Sequence, residues 1–502
     1  MQPVHIEEFL RRAAALQPEK CALRDKSGML SYAEYYARAR SAASLILAKT
    51  CGAKNAPVFV GVTRSLQPAV LFLAVALSGN FYVPVDPTLP QKRLADMQAV
   101  VQPVLCLTAD DASALELEGV QTVGYAEACA FPENDAALQA AAKQAKDTDP
   151  LCCIFTSGST GVPKAVCKTH RAYLDMLETF VSTFPLTKDS VFGNQAPFDF
   201  DVSAKDVYLA LRLGATVTVL ERMLFSFPIR LIERLNDWGV NTLIWAVSAM
   251  KLPVELEAFE EAKPAHLRLV MFSGEILPPA VLFSWQQAAP TATFVNLYGP
   301  TEIAFNCTYH VVDGTETAGE ILPIGTPFAN MDVFLWQDGA EVTAPLKRGE
   351  ILIAGSLLAL GYCNDPERTN AAFVPDPRGG EGRVYRTGDL ASYNARGELV
   401  FHGRADTQVK HQGHRVELAE IELAAQEESG LAYVCCLFDA KKDRIWLFYQ
   451  SETDRKRELA AAIKARLPDY MMPARFVRLD AMPANRTGKI DRLQLRKEFI
   501  EA

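Results

Sequence analysis

An apolar run, Leu151-Cys152-Cys153-Ile154-Phe155, empties into Thr156-Ser157-Gly158-Ser159-Thr160-Gly161-Val162-Pro163-Lys164. A buried strand ending in hydroxyls, glycines and a lysine constrains both the fold and its chemistry. Glycines let backbone N–H groups approach an anion, hydroxyls donate further hydrogen bonds, and lysine adds charge, a composition suited to a polyphosphate. The GxxxxGK[ST] spacing of a Walker A loop is absent, because the second glycine lies three residues after the first and Pro163 precedes the lysine. Tracts of this composition are most often flexible linkers. The flanking strand and the closing Pro163-Lys164 argue against a linker here.

Around this loop, strand-like runs at 58–62 and 104–107 alternate with helical patterns such as 69–78. That alternation predicts α/β layers with a largely parallel sheet. A helical segment runs from Leu30 to Leu47, with Ser31 as N-cap and Glu34 as its capping-box partner. The Ala- and charge-rich stretch 131–150 reads as a surface helix and loop. A chain of 502 residues is too long for one ordinary core. Its character changes near Phe401-His402-Gly403-Arg404-Ala405-Asp406, and the segment beyond is long enough for a small α+β domain.

A net charge of −9 gives no support for nucleic-acid binding. No apolar run reaches the roughly 18 residues of a membrane span. The opening Met1-Gln2-Pro3-Val4-His5 lacks the basic and apolar regions of a secretory signal. The 11 cysteines form no CxxC pair, and Cys152-Cys153 and Cys435-Cys436 sit in apolar stretches as core residues would. Together these features predict a reduced, cytoplasmic protein without a structural zinc site.

Further constellations follow in order. Asn296-Leu297-Tyr298-Gly299-Pro300-Thr301-Glu302 comes after a strand-like 292–295 and reads as the turn that ends it. Its Tyr offers a face to a base and its Asn a base-edge partner, while Thr and Glu suit phosphate and metal. Tyr385-Arg386-Thr387-Gly388-Asp389-Leu390 places one carboxylate after a turn, suited to two ribose hydroxyls. The polar boundary from Gly403 through Glu417 also reads as a solvated β-hairpin, and Asn485-Arg486-Thr487-Gly488-Lys489-Ile490-Asp491-Arg492 as a surface turn carrying a lysine.

Together with Tyr82-Val83-Pro84-Val85-Asp86, Gly349-Glu350-Ile351-Leu352-Ile353 and Leu467-Pro468-Asp469-Tyr470-Met471-Met472-Pro473, these motifs resemble the acyl-adenylate-forming superfamily, from Leu30 to Arg492. That superfamily spans amino-acid adenylation domains, acyl-CoA synthetases and luciferases. The stretch Pro197-Phe198-Asp199-Phe200-Asp201-Val202-Ser203 resembles the amino-acid-activating branch, in particular D-alanine–carrier-protein ligases and nonribosomal peptide synthetase adenylation domains.

The resemblance implies a large N-terminal α/β domain over 1–402, a hinge over 403–406 centred on Asp406, and a small mobile α+β domain over 407–502. It implies ATP and Mg²⁺. Thr156, Ser157, Ser159, Thr160 and Lys164 would hold the β- and γ-phosphates, with Gly158 and Gly161 shaping the loop. Asn296 and Tyr298 would hold the adenine in a segment with Leu297, Gly299 and Pro300, and Asp389 and Arg404 the ribose beside Phe401. Thr301 would contact the α-phosphate, Glu302 the metal, and Lys489 both the substrate carboxylate and the α-phosphate.

Asp201 would pair with the substrate's α-ammonium, the feature that separates amino acids from other carboxylic acids. Ser203-Ala204-Lys205-Asp206 reads as a capping box that places Asp201 just before a helix. The remaining pocket positions map to Val202, Lys205, Trp245, Met271, Ser273, Leu297, Phe305 and Asn306. Bulky Trp245 and Phe305 predict a small side chain, alanine or serine, with an acidic residue second. Lys205 departs from the pattern and is expected to pair with Asp201 or to face solvent. The chain ends at Ala502 without a phosphopantetheine-bearing segment, which implies a monomer serving a carrier protein in trans or an excised module. The alternative activity is acyl-CoA ligation of a non-amino acid.

Overall fold

A computed structural model describes all residues except 1–3, 111–114, 159–160, 315, 317–320, 406–407, 430, 432, 484–489 and 502. Ser159, Thr160, Asp406 and Lys489 therefore lie outside the described residues. The chain divides into two compact units. The first comprises Met1–Pro87, Val101–Ile154 and Val166–Ala405, the second Thr88–Val100, Phe155–Ala165 and Asp406–Ala502.

The first unit is layered α/β. One sheet places, in spatial order, strands Thr326–Pro327, Thr308–Val311, Thr293–Tyr298, Leu269–Ser273, Thr242–Ala246, Val191–Asn194, Thr216–Val219, Cys21–Asp25 and Gly28–Ser31 side by side. Its middle is parallel from Thr293–Tyr298 through Cys21–Asp25, and antiparallel strands close both edges. A second sheet contains Pro57–Gly61, Phe81–Val85 and Leu105–Thr108 in parallel, with Pro150–Thr156 beside them. Such strands are apolar throughout because helices cover both faces.

Helix Gln67–Leu77 shows the same logic, since Pro68 through Ala76 are all buried and the helix has no polar stripe. Helix Tyr32–Lys49 begins where its cap predicts. Ser31 Oγ accepts from Glu34 N at 3.2 Å, and the Glu34 carboxylate accepts from Ser31 N at 2.8 Å. A cap of this kind contributes about 1 kcal/mol. The stretch 131–150 holds helix Asp135–Gln144, with only Leu138 buried. A third, antiparallel sheet runs through Met331–Gln337, Gly349–Gly355 and Arg383–Tyr393.

The second unit carries a three-stranded sheet, Val434–Asp439, Arg444–Gln450 and Arg475–Leu479, antiparallel then parallel. Helices Leu418–Ser429 and Lys456–Lys464 cover it through Ile421, Ala425, Leu459 and Ile463. Cys435 and Cys436 point into opposite clusters, as the two-residue period of a strand requires. Both are buried core residues, as are Cys152 and Cys153, and all 11 cysteines are free thiols.

Candidate functional site

Parallel strands of an open α/β sheet present their C-terminal ends to ligands. In the first unit those ends carry Asn194, Ala246, Ser273 and Tyr298. Strand Thr293–Tyr298 extends beyond the predicted 292–295, so Asn296, Leu297 and Tyr298 belong to the strand and only Gly299 begins the turn. Antiparallel pairing of Tyr298 with Thr308 and Asn296 with His310 holds the strand to this length. Asn296 and Tyr298 are two residues apart on the strand, and Leu297 and Tyr298 both reach the main core.

Tyr298 donates through its hydroxyl to Asp389 Oδ2 at 2.5 Å, and Arg404 Nη1 donates to Asp389 Oδ1 at 2.5 Å. Burial, and then the Asp389 charge, push the Tyr298 phenol well up, which keeps it a donor. Phe401 lies at 6.3 Å between ring centroids from Tyr298. Asn296 Nδ2 donates to the Pro323 carbonyl at 2.8 Å. An aromatic face, an amide, a carboxylate and a guanidinium thus stand together. Asp389 is not at the end of a turn as the sequence predicts. It lies within strand Arg383–Tyr393, where a bulge between Asp389 and Ala391 breaks the register beside Gly388 at φ +71°.

The turn after Tyr298 explains Gly299. A Cβ there would meet Phe305 O at 2.6 Å and Asn306 Cα at 2.7 Å, so only glycine lets that segment fold back onto the strand. Phe305 is itself held at φ +64°. Such backbone strain in a non-glycine residue collects at functional sites. Between the two, Thr301 is half-buried and Glu302 is 0% exposed, with Glu302 Oε1 accepting from the Tyr362 hydroxyl at 2.9 Å.

Helix Asp201–Leu213 starts at Asp201 rather than after it, and the predicted capping box is absent. Phe200 is the N-cap, Ser203 Oγ donates to the Phe200 carbonyl at 2.6 Å, and Asp206 instead accepts from Asn194 Nδ2 at 2.9 Å. Asp201 occupies the first helical position, where the macrodipole favours a carboxylate. Its Oδ2 lies 3.1 Å from Nζ of Lys168, a lysine 0% exposed on strand Lys164–Thr169. Sequence reasoning missed Lys168, whose only signal is a charge at the end of the short apolar run Ala165-Val166-Cys167.

Lys205 also departs from expectation. It is 1% exposed, and its Nζ donates to Asn306 Oδ1 at 2.6 Å and lies 5.9 Å from the Phe305 ring centroid. It does not face solvent, and the lysine that reaches the Asp201 carboxylate is Lys168, from the neighbouring strand. Val202 is half-buried beside Asp201, and Met271 and Phe305 line the main core.

Trp245 does not share their face. It packs with Phe225 and Trp285 in a separate cluster on the far side of the sheet, and its indole N–H donates to Gly193 O at 2.7 Å. Ile244 and Met271 lie in the main core and Trp245 pairs with Phe272, so the next residue, Ala246, pairs with Ser273 on the Met271 side. The predicted bulky residue Trp245 therefore lies on the face opposite Met271 and Ser273.

Burial pushes the Asp206 carboxyl up to about 8 against the opposing effects of Asn194 and Lys205. A raised carboxyl binds its proton more tightly when folded than its ordinary value of 3.8 allows when unfolded. Stability therefore falls as pH rises through that window. Asp206→Asn should match the wild-type melting temperature at pH values below about 4 and exceed it above about 8. Equal melting temperatures across the range would show that Asp206 stays ionised.

In the second unit, the loop after Thr156 folds back on itself. Gly161 N donates to Gly158 O at 3.0 Å, and a Cβ on Gly158 would strike Val162 O at 2.0 Å. Thr156 Oγ1 is buried without a hydrogen-bond partner. Ser157 Oγ donates to Arg415 O at 2.7 Å and accepts from Glu417 N at 3.2 Å, while Lys164 Nζ lies 3.7 Å from Glu417 Oε1. Arg415 and Glu417 belong to the hairpin Gln408–His411 and His414–Glu417, where Gln408, His411 and Glu417 are buried rather than solvated. A cradle that a Cβ would fill, next to an unsatisfied hydroxyl, fits a phosphate group. Glu302 fits Mg²⁺ as a single carboxylate, since that ion is usually bound through one or two carboxylates and substrate phosphates. Among the described residues no group of three or more His, Cys, Asp or Glu forms a metal cage, and no helix is long and apolar enough to cross a membrane.

Comparison with known proteins agrees with this geometry. The chain is 31% identical over 98% of its length to tyrocidine synthase 3 of Brevibacillus parabrevis, and spans only 8% of that protein. It is 29% identical to the D-alanine–D-alanyl carrier protein ligase of Bacillus licheniformis, covering 98% of this chain and 99% of that one. The crystal structure of IdnL1 superposes with a TM-score of 0.83 at 33% identity, covering 96% of this chain and 99% of that chain. The model of the AMP-binding enzyme family matches residues 10–363, which takes in the phosphate-type loop, Asp201 and the Asn296–Glu302 segment. By that match the chain belongs to the AMP-binding enzyme family.

Proposed function

We propose that this protein activates an amino acid with ATP, forming aminoacyl-AMP and pyrophosphate, and then transfers the aminoacyl group to the phosphopantetheine thiol of a carrier protein. The observation that carries the reading is Asp201, presented at the first turn of its helix and held from behind by buried Lys168. A carboxylate has about four lone-pair sites, so it accepts a substrate ammonium as well as Lys168. The D-alanine–D-alanyl carrier protein ligase, matched over 99% of its length, supports a separate carrier protein as the acceptor.

In the first half-reaction the substrate carboxylate oxygen bonds to the α-phosphorus of ATP as the bond to pyrophosphate breaks. Catalysis of such a step is positioning and charge neutralisation. Asn296 and Tyr298 take the adenine, with Leu297, Gly299, Pro300 and Phe401 shaping its surroundings. Asp389 and Arg404 take the ribose and Thr301 the α-phosphate. Thr156, Ser157, Ser159, Thr160 and Lys164 hold the departing pyrophosphate through a loop that Gly158 and Gly161 allow. Glu302 holds Mg²⁺, which neutralises phosphate charge when bound.

Lys489 draws the two reacting anions together. In the second half-reaction the thiol sulfur attacks the acyl carbon and AMP leaves. The domain assignment that goes with this reading is a core over 1–402, a hinge over 403–406 at Asp406 and a mobile domain over 407–502, in a monomeric cytoplasmic enzyme. Free pantetheine tests the transfer half. With ATP, Mg²⁺ and the cognate amino acid it should accelerate AMP release and accumulate an aminoacyl thioester. AMP release indifferent to every thiol would overturn that half.

A further inference from the structure

With that adenylation reading as its base, we propose that His310 is a positioning residue for ATP. It fixes the Asn296 amide so that the site selects adenine over a base with a carbonyl in place of the amino group. His310 stands on strand Thr308–Val311, directly opposite Asn296 in the antiparallel ladder. Residues paired in this way put their side chains on one face of the sheet.

His310 is 3% exposed and spans two carboxylates. Its Nδ1 lies 2.7 Å from Glu398 Oε1 and its Nε2 2.9 Å from Glu316 Oε1. Two carboxylates call for a donor at each ring nitrogen, which the doubly protonated ring supplies. The other oxygen of Glu398, Oε2, accepts from Asn394 Nδ2 and from Arg396 Nε, each at 2.8 Å. His310 therefore ties the hairpin turn 394–398 to the strand beside Asn296.

The tie reaches the base site through one peptide plane. Leu399, next after Glu398, opens strand Leu399–Arg404, which carries Phe401 and Arg404. Its carbonyl accepts from Ile324 N at 2.8 Å, and its N–H donates to Gly325 O at 2.9 Å. Ile324 N and Pro323 O belong to the same planar peptide, so holding one holds the other. Pro323 O in turn accepts from Asn296 Nδ2 at 2.8 Å. An amide fixed by that bond turns its Oδ1, an acceptor, away from Pro323. Adenine offers an N6–H₂ donor to such an oxygen, whereas a carbonyl in its place sets lone pair against lone pair.

The test compares ATP with inosine triphosphate, by calorimetric binding and by amino-acid-dependent pyrophosphate exchange. The wild type should bind ATP more tightly than inosine triphosphate by at least about 30-fold. His310→Leu should weaken ATP by about 10-fold in Kd and KM and cut the preference below about 5-fold. It should leave kcat and the amino-acid KM within about 3-fold of the wild type. Glu398→Ala should act in the same direction. In an Asn296→Ala background His310→Leu should add less than about 2-fold, because its effect runs through that amide.

A joint loss of kcat and both KM values in folded His310→Leu overturns the proposal. So does a full additional loss in the Asn296→Ala background, or a wild type indifferent to the base. Failure of both His310→Leu and Glu398→Ala to fold also overturns it, by assigning the tie to stability alone. A wild type that binds ATP selectively but exchanges with no amino acid overturns the adenylation reading and leaves the His310 assignment standing. One that binds neither nucleotide overturns both.

Discussion

Asp201→Ala is expected to abolish amino-acid-dependent pyrophosphate exchange and to destabilise the first unit by about 3 kcal/mol. The two losses have separate causes. Activity falls because the substrate ammonium loses its counter-charge. Stability falls because Lys168, 0% exposed, keeps an ammonium with its carboxylate partner gone. Removing one partner of a buried ion pair typically costs about 3–5 kcal/mol, whereas replacing both with apolar groups is often neutral. The double variant Lys168→Met with Asp201→Ala should therefore recover most of the lost stability in denaturant unfolding and none of the exchange. Recovery of exchange would mean that Asp201 serves only to neutralise Lys168. An unchanged midpoint in Asp201→Ala would mean that the pair contributes nothing to the fold.

Lys489→Ala should reduce exchange by on the order of 10³-fold while leaving thermal unfolding within about 0.5 kcal/mol of the wild type. The reacting groups are two anions that must meet. At about 4 Å and an effective dielectric near 20, like charges repel by roughly 4 kcal/mol, which corresponds to about three orders of magnitude in rate. A cation between them removes that barrier and fixes the near-attack geometry. Exchange that survived in Lys489→Ala would remove this lysine from the adenylation step. A collapse of stability would assign it a structural role instead.

The parts of the molecule governed by local chemistry were legible in the sequence. Ser31 and Glu34 announce a helix start because capping is a contact between near neighbours. The apolar runs around Cys152 and Cys435 announce buried strands in the same way. The motif order, read as a resemblance, agrees with the family match over 10–363.

Features that depend on register or on distant partners were not legible. Shifting one residue along a strand changes the face, and that single step separates Trp245, in the second cluster, from Ile244 and Met271 in the main core. Lys168 looks like a surface charge until the fold sets it beside Asp201, which is 33 residues away. Lys205 looked like an i,i+4 partner for Asp201, yet it donates to Asn306, 101 residues on. Gly388 before Asp389 reads as a turn in the sequence, whereas the glycine marks a bulge inside a strand.

The central claim is that this enzyme activates amino acids, and ATP–pyrophosphate exchange across matched acids tests it most directly. Each amino acid should be paired with its counterpart lacking the α-amino group, such as glutamate with glutarate and alanine with propionate. The account predicts exchange that requires the amino group, with the deaminated partner slower by at least about 100-fold. Exchange supported equally or better by the deaminated acids would contradict it and make the protein an acyl ligase for non-amino carboxylates.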